Sequence, residues 1–169
     1  MKITKLGCVL WVLALLAAPF VSFAIDVSPL PLESQAALGA SHVVEFDFED
    51  LTETDTNGTA QTTAIMAIPA KMGVEFVAAQ LVTAFDTANT NYTGSTTITV
   101  GDGGDVDRFL PSMELASDGT EVWLDIDKLN TVYTVADTVD VVFTQSTNEG
   151  LADNTVGKIL LYFRLWDAR

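Results

Sequence analysis

Residues 101–107, GDGGDVD, bring three carboxylates and three glycines together directly after a β-prone run. Three structures could use such a stretch: a metal site, a phosphate-binding loop or a turn between strands. A phosphate-binding loop needs backbone N–H groups at a helix N-terminus or a lysine behind them, but here carboxylates would meet the anion and no lysine follows. The sequence therefore favours a turn whose glycines adopt left-handed conformations, with a cation site as the alternative.

Calcium is the cation that this stretch could hold. Asp102, Asp105 and Asp107 could supply some of the oxygen ligands that calcium requires. Their spacing does not match the EF-hand loop, and it is only loosely like the nonapeptide calcium repeats, which occur in tandem. The three aspartates are therefore candidate calcium ligands, and we predict no other cofactor.

Catalysis has little support in the sequence. His42 is the only histidine, and no serine near it in sequence lies in a nucleophile-elbow pattern. One histidine, with the only cysteine (Cys8) in an N-terminal leader, cannot make the usual zinc ligand set. Carboxylate pairs for glycoside hydrolysis are uninformative among 23 acidic residues. We expect no catalytic residues and a protein that is not an enzyme.

The N-terminus reads as a secretory signal. Lys2 and Lys5 precede an apolar run, and small residues at Ser22 and Ala24 make a plausible cleavage site after Ala24. An uncleaved membrane anchor is the alternative reading of residues 1–24, and it would be the chain's one contact with a membrane. Cleavage would leave six of the eight basic residues against 23 acidic ones, a net charge of −17. Such a charge argues against a nucleic-acid partner, because that association depends on neutralising phosphates with basic side chains.

The rest of the chain divides into an arm and one domain. Residues 25–41 contain two prolines and no clear period, which predicts an extended arm or linker that packs along its own domain or a neighbouring subunit. Residues 42–169 contain about eight strand candidates separated by turn signals and no convincing amphipathic helix. This pattern predicts an all-β fold, an antiparallel β-sandwich with a jelly roll as a candidate topology. The alternation predicts these inward residues: Val44, Phe46 and Phe48; Val122, Leu124 and Ile126; Val139, Val141 and Phe143; Ile159, Leu161, Phe163 and Leu165.

The outward positions of two strands carry aromatic residues and an arginine. Trp123 lies among acidic residues, and Tyr162 and Trp166 flank Arg164 on the terminal strand. Such side chains are enriched at protein interfaces. They are candidate interface residues, with burial of both faces of the last strand as the alternative.

Four segments together resemble a known family. They are AIPAKMGVEFVAAQLVTAFD, TITVGDGGDVDRFLPSMEL, YTVADTVDVVFTQS and GKILLYFRLW. The chain resembles small β-rich virion structural proteins of tailed bacteriophages, such as capsid decoration or head and tail accessory subunits. The shared features are a strand ending in TAF, a GDG turn with two further aspartates and an aromatic-leucine pair, a Y-x-x-x-D-T-V strand start and a hydrophobic last strand.

The resemblance covers about three fifths of the chain, from Ala64 to Trp166. It implies a non-enzymatic, multi-copy assembly protein without a cofactor, located in the virion, whose partners are like subunits and capsid or other virion proteins. It also makes GDGGDVD chiefly a family turn. The signal-like leader departs from the family, because a tailed-phage particle matures in the cytoplasm. The alternative is a secreted bacterial surface, filament or matrix β-sandwich protein, with calcium as a candidate stabiliser.

Overall fold

The computed structural model describes residues 27–29, 39–54, 60–87, 95–115, 121–124, 130–146 and 150–169. The signal-like leader, its cleavage site and most of the arm lie outside these residues. The described strands are β1 (Val27–Pro29), β2 (His42–Asp47), β3 (Ala60–Ile68), β4 (Met72–Thr87), β5 (Thr96–Asp102), β6 (Asp105–Glu114), β7 (Glu121–Leu124), β8 (Asn130–Val132), β9 (Asp137–Gln145) and β10 (Asn154–Asp167). Two short 3₁₀ turns, Phe48–Asp50 and Leu151–Asp153, precede β3 and β10.

The strands form two antiparallel sheets. Sheet A has the order β1-β2-β10-β4-β7, and β8 also pairs with β4. Sheet B has the order β3-β9-β5-β6. Without β1 and β8, this is the strand order of an eight-stranded jelly roll, in which the chain passes repeatedly from one sheet to the other. The predicted all-β sandwich is confirmed.

The core lies between the two sheets, where the alternating apolar residues meet. Val139, Val141 and Phe143 of β9 and the residues at alternate positions of β10 from Ile159 to Phe163 have no exposed surface, as the pattern predicts. Val44 and Phe46 of β2 are buried in the same core between the sheets. Phe48 and Leu165, also predicted inward, are partly buried and pack against the core from its margin. The side chains of Val122, Leu124 and Ile126 lie outside the described part of the chain.

Strand β2 ends sooner than its alternation suggests. The Asp47 carboxylate accepts a hydrogen bond from the Glu49 N–H at 2.8 Å, and the Asp50 carboxylate accepts one from the Asp47 N–H at 3.0 Å. This reciprocal cap turns the backbone into a 3₁₀ turn, so Phe48 leaves the ladder. The apolar stretch after Pro69 forms a single strand of sixteen residues, β4, and no part of it is helical.

The N-terminal arm contributes β1 to the edge of sheet A. Val27 lies opposite Val44 and Pro29 opposite His42, so the arm packs along its own domain at these positions. In the described ranges, no helix is both long and apolar enough to cross a membrane.

Candidate functional site

The GDGGDVD stretch is a tight hairpin between β5 and β6. Asp102 ends β5 and is opposite Asp105 at the start of β6, which leaves only Gly103 and Gly104 in the turn. The turn interpretation is confirmed, but the expected left-handed glycines are not found, because neither turn glycine has a positive φ. Gly101 is required for another reason: a Cβ there would lie 2.1 Å from the Asp105 carbonyl oxygen of the partner strand.

Asp102 is buried beneath this hairpin, where its carboxylate accepts three hydrogen bonds and forms one ion pair. Its Oδ2 accepts the Tyr133 hydroxyl at 2.9 Å and lies 2.6 Å from Arg108 Nε, in an ion pair whose N–H is not aligned for a hydrogen bond. Its Oδ1 accepts the backbone N–H groups of Gly104 and Asp105, each at 3.0 Å. Burial raises the pKa of Asp102, but the Tyr133 and Gly104 hydrogen bonds and the Arg108 charge outweigh it and leave the pKa lowered.

Asp105 and Asp107, the other candidate calcium ligands, lie at the surface. Both are exposed residues of β6. The Asp107 pKa is raised, first by a hydrogen bond with the Asp105 carboxylate and then by slight burial and that neighbour's charge. In the described part of the chain, no group of three or more histidine, cysteine, aspartate or glutamate side chains could hold a metal ion. The three aspartates share a hairpin, but Asp102 uses its oxygens inside the fold.

His42 lies beside a serine. Ser41 Oγ is 2.8 Å from His42 Nδ1. The same hydroxyl oxygen accepts the Leu165 N–H at 2.9 Å and lies 3.4 Å from the Phe163 carbonyl oxygen. These contacts bind Ser41 to the backbone of β10, so Ser41 fixes the start of β2 against β10.

Three of the four candidate interface residues lie together on the outer face of sheet A. Tyr162, Arg164 and Trp166 follow one another along the outer side of β10. Tyr162 is half-buried, and its hydroxyl donates a hydrogen bond to Gln80 Oε1 at 3.1 Å. Trp123 pairs through its backbone with Ala79 on the other side of β4, and its side chain lies outside the described part.

Arg164 and Trp166 border a shallow groove. The guanidinium binds the Glu75 carboxylate through Nε at 2.7 Å and also through Nη2. The Trp166 indole covers Gly73, where a Cβ would lie 2.0 Å from Cε2 of the ring. With Asn130, these side chains line an open groove of about 450 Å³.

We define the outer strip as the four half-buried residues Val43, Leu160, Tyr162 and Trp166. It runs across β2 and β10 on the solvent side of sheet A. Two ion pairs lie beside it: Lys158 binds Glu45 next to Leu160, and Arg164, between Tyr162 and Trp166, binds Glu75. The strip is therefore apolar, and each basic residue of β10 that borders it is paired with a carboxylate.

Sequence reasoning missed Glu75, Gly73 and Val43. Glu75 is only 7% exposed although it is charged. The available signal was its position as a lone acid in the apolar run VEFVAAQL, because a buried carboxylate requires a basic partner. Gly73 is explained only by the register that places it opposite Trp166.

Comparison with known proteins gives little. No protein-family model matches the sequence, and no curated protein is significantly similar to it. A structural similarity exists to a chain of the crystal structure of accessory secretory protein 1,2 and 3 in Streptococcus pneumoniae, with 11% identity over 85% of this chain and 90% of that chain. Its TM-score is 0.21, so it carries no argument about fold or function.

Proposed function

We propose that this protein is a non-enzymatic structural subunit of a virus particle, a capsid decoration or accessory virion protein that assembles in many copies. The observation that carries the proposal is the outer strip: an apolar, aromatic band on the solvent side of a sheet whose other face already forms the core. The outer face of an antiparallel sheet is normally polar where it meets water. An aromatic band with an arginine beside it is typical of a surface that a protein partner covers.

Charge supports like subunits as one class of partner. The chain carries a net charge of −15, so copies repel one another. On the outer face of sheet A, Lys158 and Arg164 each neutralise a carboxylate. A second subunit, or an acidic capsid protein, can approach this face with less repulsion than elsewhere.

The fold is compatible with this role but does not choose it. Jelly rolls occur in viral capsid domains and also in lectins and cupins, and a fold alone does not determine function. The resemblance of four segments to tailed-phage virion proteins favours the virion over those other classes. The proposal includes no nucleic-acid partner, and it involves a membrane only through an uncleaved leader.

The location of the native protein and the processing of its N-terminus together test the proposal. Intact mass and N-terminal sequence would be measured on native protein from purified particles and from cell-free medium. The proposal expects the chain in particles at a fixed ratio to the capsid protein. Recovery from the medium alone, with particles free of the chain, would disprove it.

The outer strip is tested by a matched pair of charge substitutions. Leu160→Lys places a positive charge in the strip at a half-buried position that solvent reaches in the isolated subunit, while the neighbouring Glu45 stays paired with Lys158. Thr99→Lys adds the same charge at a half-buried position of sheet B. We expect both variants to keep the parent's melting temperature within about 2 °C and only Leu160→Lys to lose incorporation, since an interface disfavours a buried unpaired charge. Normal incorporation of a folded Leu160→Lys would exclude the strip.

The alternative is a secreted bacterial surface, filament or matrix protein. The position of β1 favours it, because three residues of the arm already add a strand to the edge of sheet A. The same pairing could form between subunits if the arm reached the next copy. Protein in the medium that begins at Ile25, near the expected cleavage after Ala24, would support this alternative.

Calcium stabilisation belongs to this alternative. Asp105 and Asp107 are exposed and close enough to share a hydrogen bond, so they are the two predicted ligands that solvent ions can reach. The double change Asp105→Asn and Asp107→Asn should abolish any calcium-dependent rise in melting temperature. A parent protein that melts identically with calcium and with chelator would remove calcium from the proposal.

A further inference from the structure

We infer that strand β3 pairs with β3 of a second copy of this chain, in an antiparallel ladder that joins the two sheets B. In the described part of the chain, β3 is a terminal strand of sheet B and its ladder partner is β9. Its nine residues, AQTTAIMAI, contain no charge and no proline. Edge strands that remain unpaired are normally protected by charged side chains or proline.

The opposite edge of the same sheet carries that protection. Strand β6 contains Asp105, Asp107 and Glu114, all exposed, and Pro111, which has no N–H to donate. Two copies meeting along β6 would bring like charges face to face. The two edges of sheet B therefore differ in whether a further strand could be added, and only β3 is suited to it.

The side chains along β3 also permit close approach. The exposed positions hold small residues, Ala60, Thr62, Ala64 and Ala67. Behind Ala60 and Thr62, the next strand presents the uncharged Thr144 and Val142, whereas its half-buried Asp140 and Asp137 lie behind Ala64 and Ile68. In a chain of net charge −15, the uncharged strand β3 is a place where two copies can come within hydrogen-bonding distance.

A second copy is the partner because identical edges complement each other. In an antiparallel ladder, each edge offers the same alternation of N–H and C=O groups, so a two-fold axis satisfies both at once. The start of β3 is held by its own chain through the Gln61 side-chain amide. Its Oε1 accepts a hydrogen bond from the Thr52 N–H, and its Nε2 donates one to the Asp50 carbonyl oxygen, both at 2.8 Å. The intermolecular ladder therefore begins at Thr62.

This inference goes beyond the proposed function, because it holds whether the protein resides in a particle or in the medium. The inferred contact lies on sheet B, whereas the outer strip lies on sheet A. The two surfaces can therefore be tested separately with Leu160→Lys for the strip and edge variants for β3.

The first test compares two doubly substituted full-length chains by sedimentation equilibrium. Thr62→Glu with Ala67→Glu adds two negative charges to the β3 edge, opposite the uncharged Val142 and Thr138 of β9, and Ser112→Glu with Val135→Glu adds the same charge at exposed positions elsewhere. Like charges opposite each other destabilise a ladder. We expect a concentration-dependent dimer for the parent and the control, and association at least about tenfold weaker for the edge variant at an unchanged melting temperature.

A cysteine scan checks the geometry in a Cys8→Ser background. Cysteines at 62, 64 and 67 would be oxidised and compared with Ser112→Cys on the protected edge. Facing Cα atoms in a ladder lie about 4.5–5.5 Å apart, within disulfide range, so one β3 position should form dimers faster than its neighbours and than residue 112. A monomeric parent at about 100 µM, or an edge variant that dimerises like its control, would overturn the inference. Loss of the dimer in Leu160→Lys alone would assign it to the outer strip instead.

Discussion

The Tyr133 hydroxyl donates a hydrogen bond to Asp102 Oδ2 at 2.9 Å and thereby joins the two sheets of the sandwich. Tyr133 follows β8, and its backbone is hydrogen-bonded to Lys71 and Met72 at the start of β4. Asp102 ends β5 in sheet B. The aspartate that resembled a calcium ligand in the sequence therefore anchors the β5–β6 hairpin to the opposite sheet.

Removing this hydroxyl should cost substantial stability. Tyr133→Phe keeps the ring but deprives a buried carboxylate of a donor, and a hydrogen bond to a charged group contributes roughly 1.5–3 kcal/mol. Tyr162→Phe is the matched control, because its hydroxyl binds the uncharged Gln80 in a half-buried position, worth about 0.5–1 kcal/mol. Urea denaturation of both variants measures the difference. Equal losses would show that the Asp102 contact has no special weight.

Acid should weaken the same anchor. The pKa of Asp102 is held below the ordinary 3.8, so its ionised form stabilises the folded state above that value, and the contribution is lost as pH falls through the lowered pKa. The unfolding free energy of the parent minus that of Asp102→Asn should be constant above about pH 5 and shrink below about pH 4. A difference that grows with acidification would contradict the lowered pKa.

Asp107 should show the opposite sign. Its pKa is raised by the shared hydrogen bond with Asp105, so its ionised form is disfavoured in the folded state at neutral pH. Asp107→Asn should therefore be at least as stable as the parent at pH 7, and the two proteins should converge in acid. The same denaturation series measures this, and a clear loss of stability in Asp107→Asn at pH 7 would indicate an unrecognised role for that carboxylate.

Strands with one buried face could be predicted from the sequence, and protected edges could not. Alternation along β9 and β10 identifies their core residues because each strand has sheet neighbours on both sides and one face against the core. The sequence pattern did not predict strand β6, because DVDRFLPSME contains charges and a proline. Both are tolerated at an edge, and irregular register with β5 interrupts its period.

The site was predictable in part for a similar reason. The outward positions of Tyr162, Arg164 and Trp166 follow from the period of two along β10. The contact partners of these residues do not follow from that period, because Glu75 and Gly73 lie on β4, about 90 positions earlier in the chain. Bulges in β4 also help to set its register against β10. Likewise, no spacing in the sequence links Asp102 to Tyr133, 31 residues later.

Gly73 should control the position of Trp166. Gly73→Ala would place a methyl group 2.0 Å from the indole Cε2, so the ring must move away from β4 and expose more of its surface. We expect a red-shifted tryptophan emission and a loss of about 1–3 kcal/mol. Gly39→Ala is the control, since that glycine has a φ of 73° but nothing within 4 Å of the added carbon. Emission unchanged in Gly73→Ala relative to Gly39→Ala would mean that the ring does not rest on this glycine.

Phe143 should be the most costly side chain to truncate in the contact between the sheets. Its ring lies 5.2 Å from that of Phe46 in an edge-on arrangement and 6.1 Å from that of Phe85, so one side chain of sheet B packs against two of sheet A. Phe143→Ala leaves a cavity between the sheets and should cost about 3–5 kcal/mol. Val142→Ala is the control on the same strand, because that side chain is half-buried and lies between inward neighbours, and it should cost less than about 1 kcal/mol. Chemical denaturation measures both, and similar losses would mean that the sheets are held together elsewhere than at this aromatic cluster.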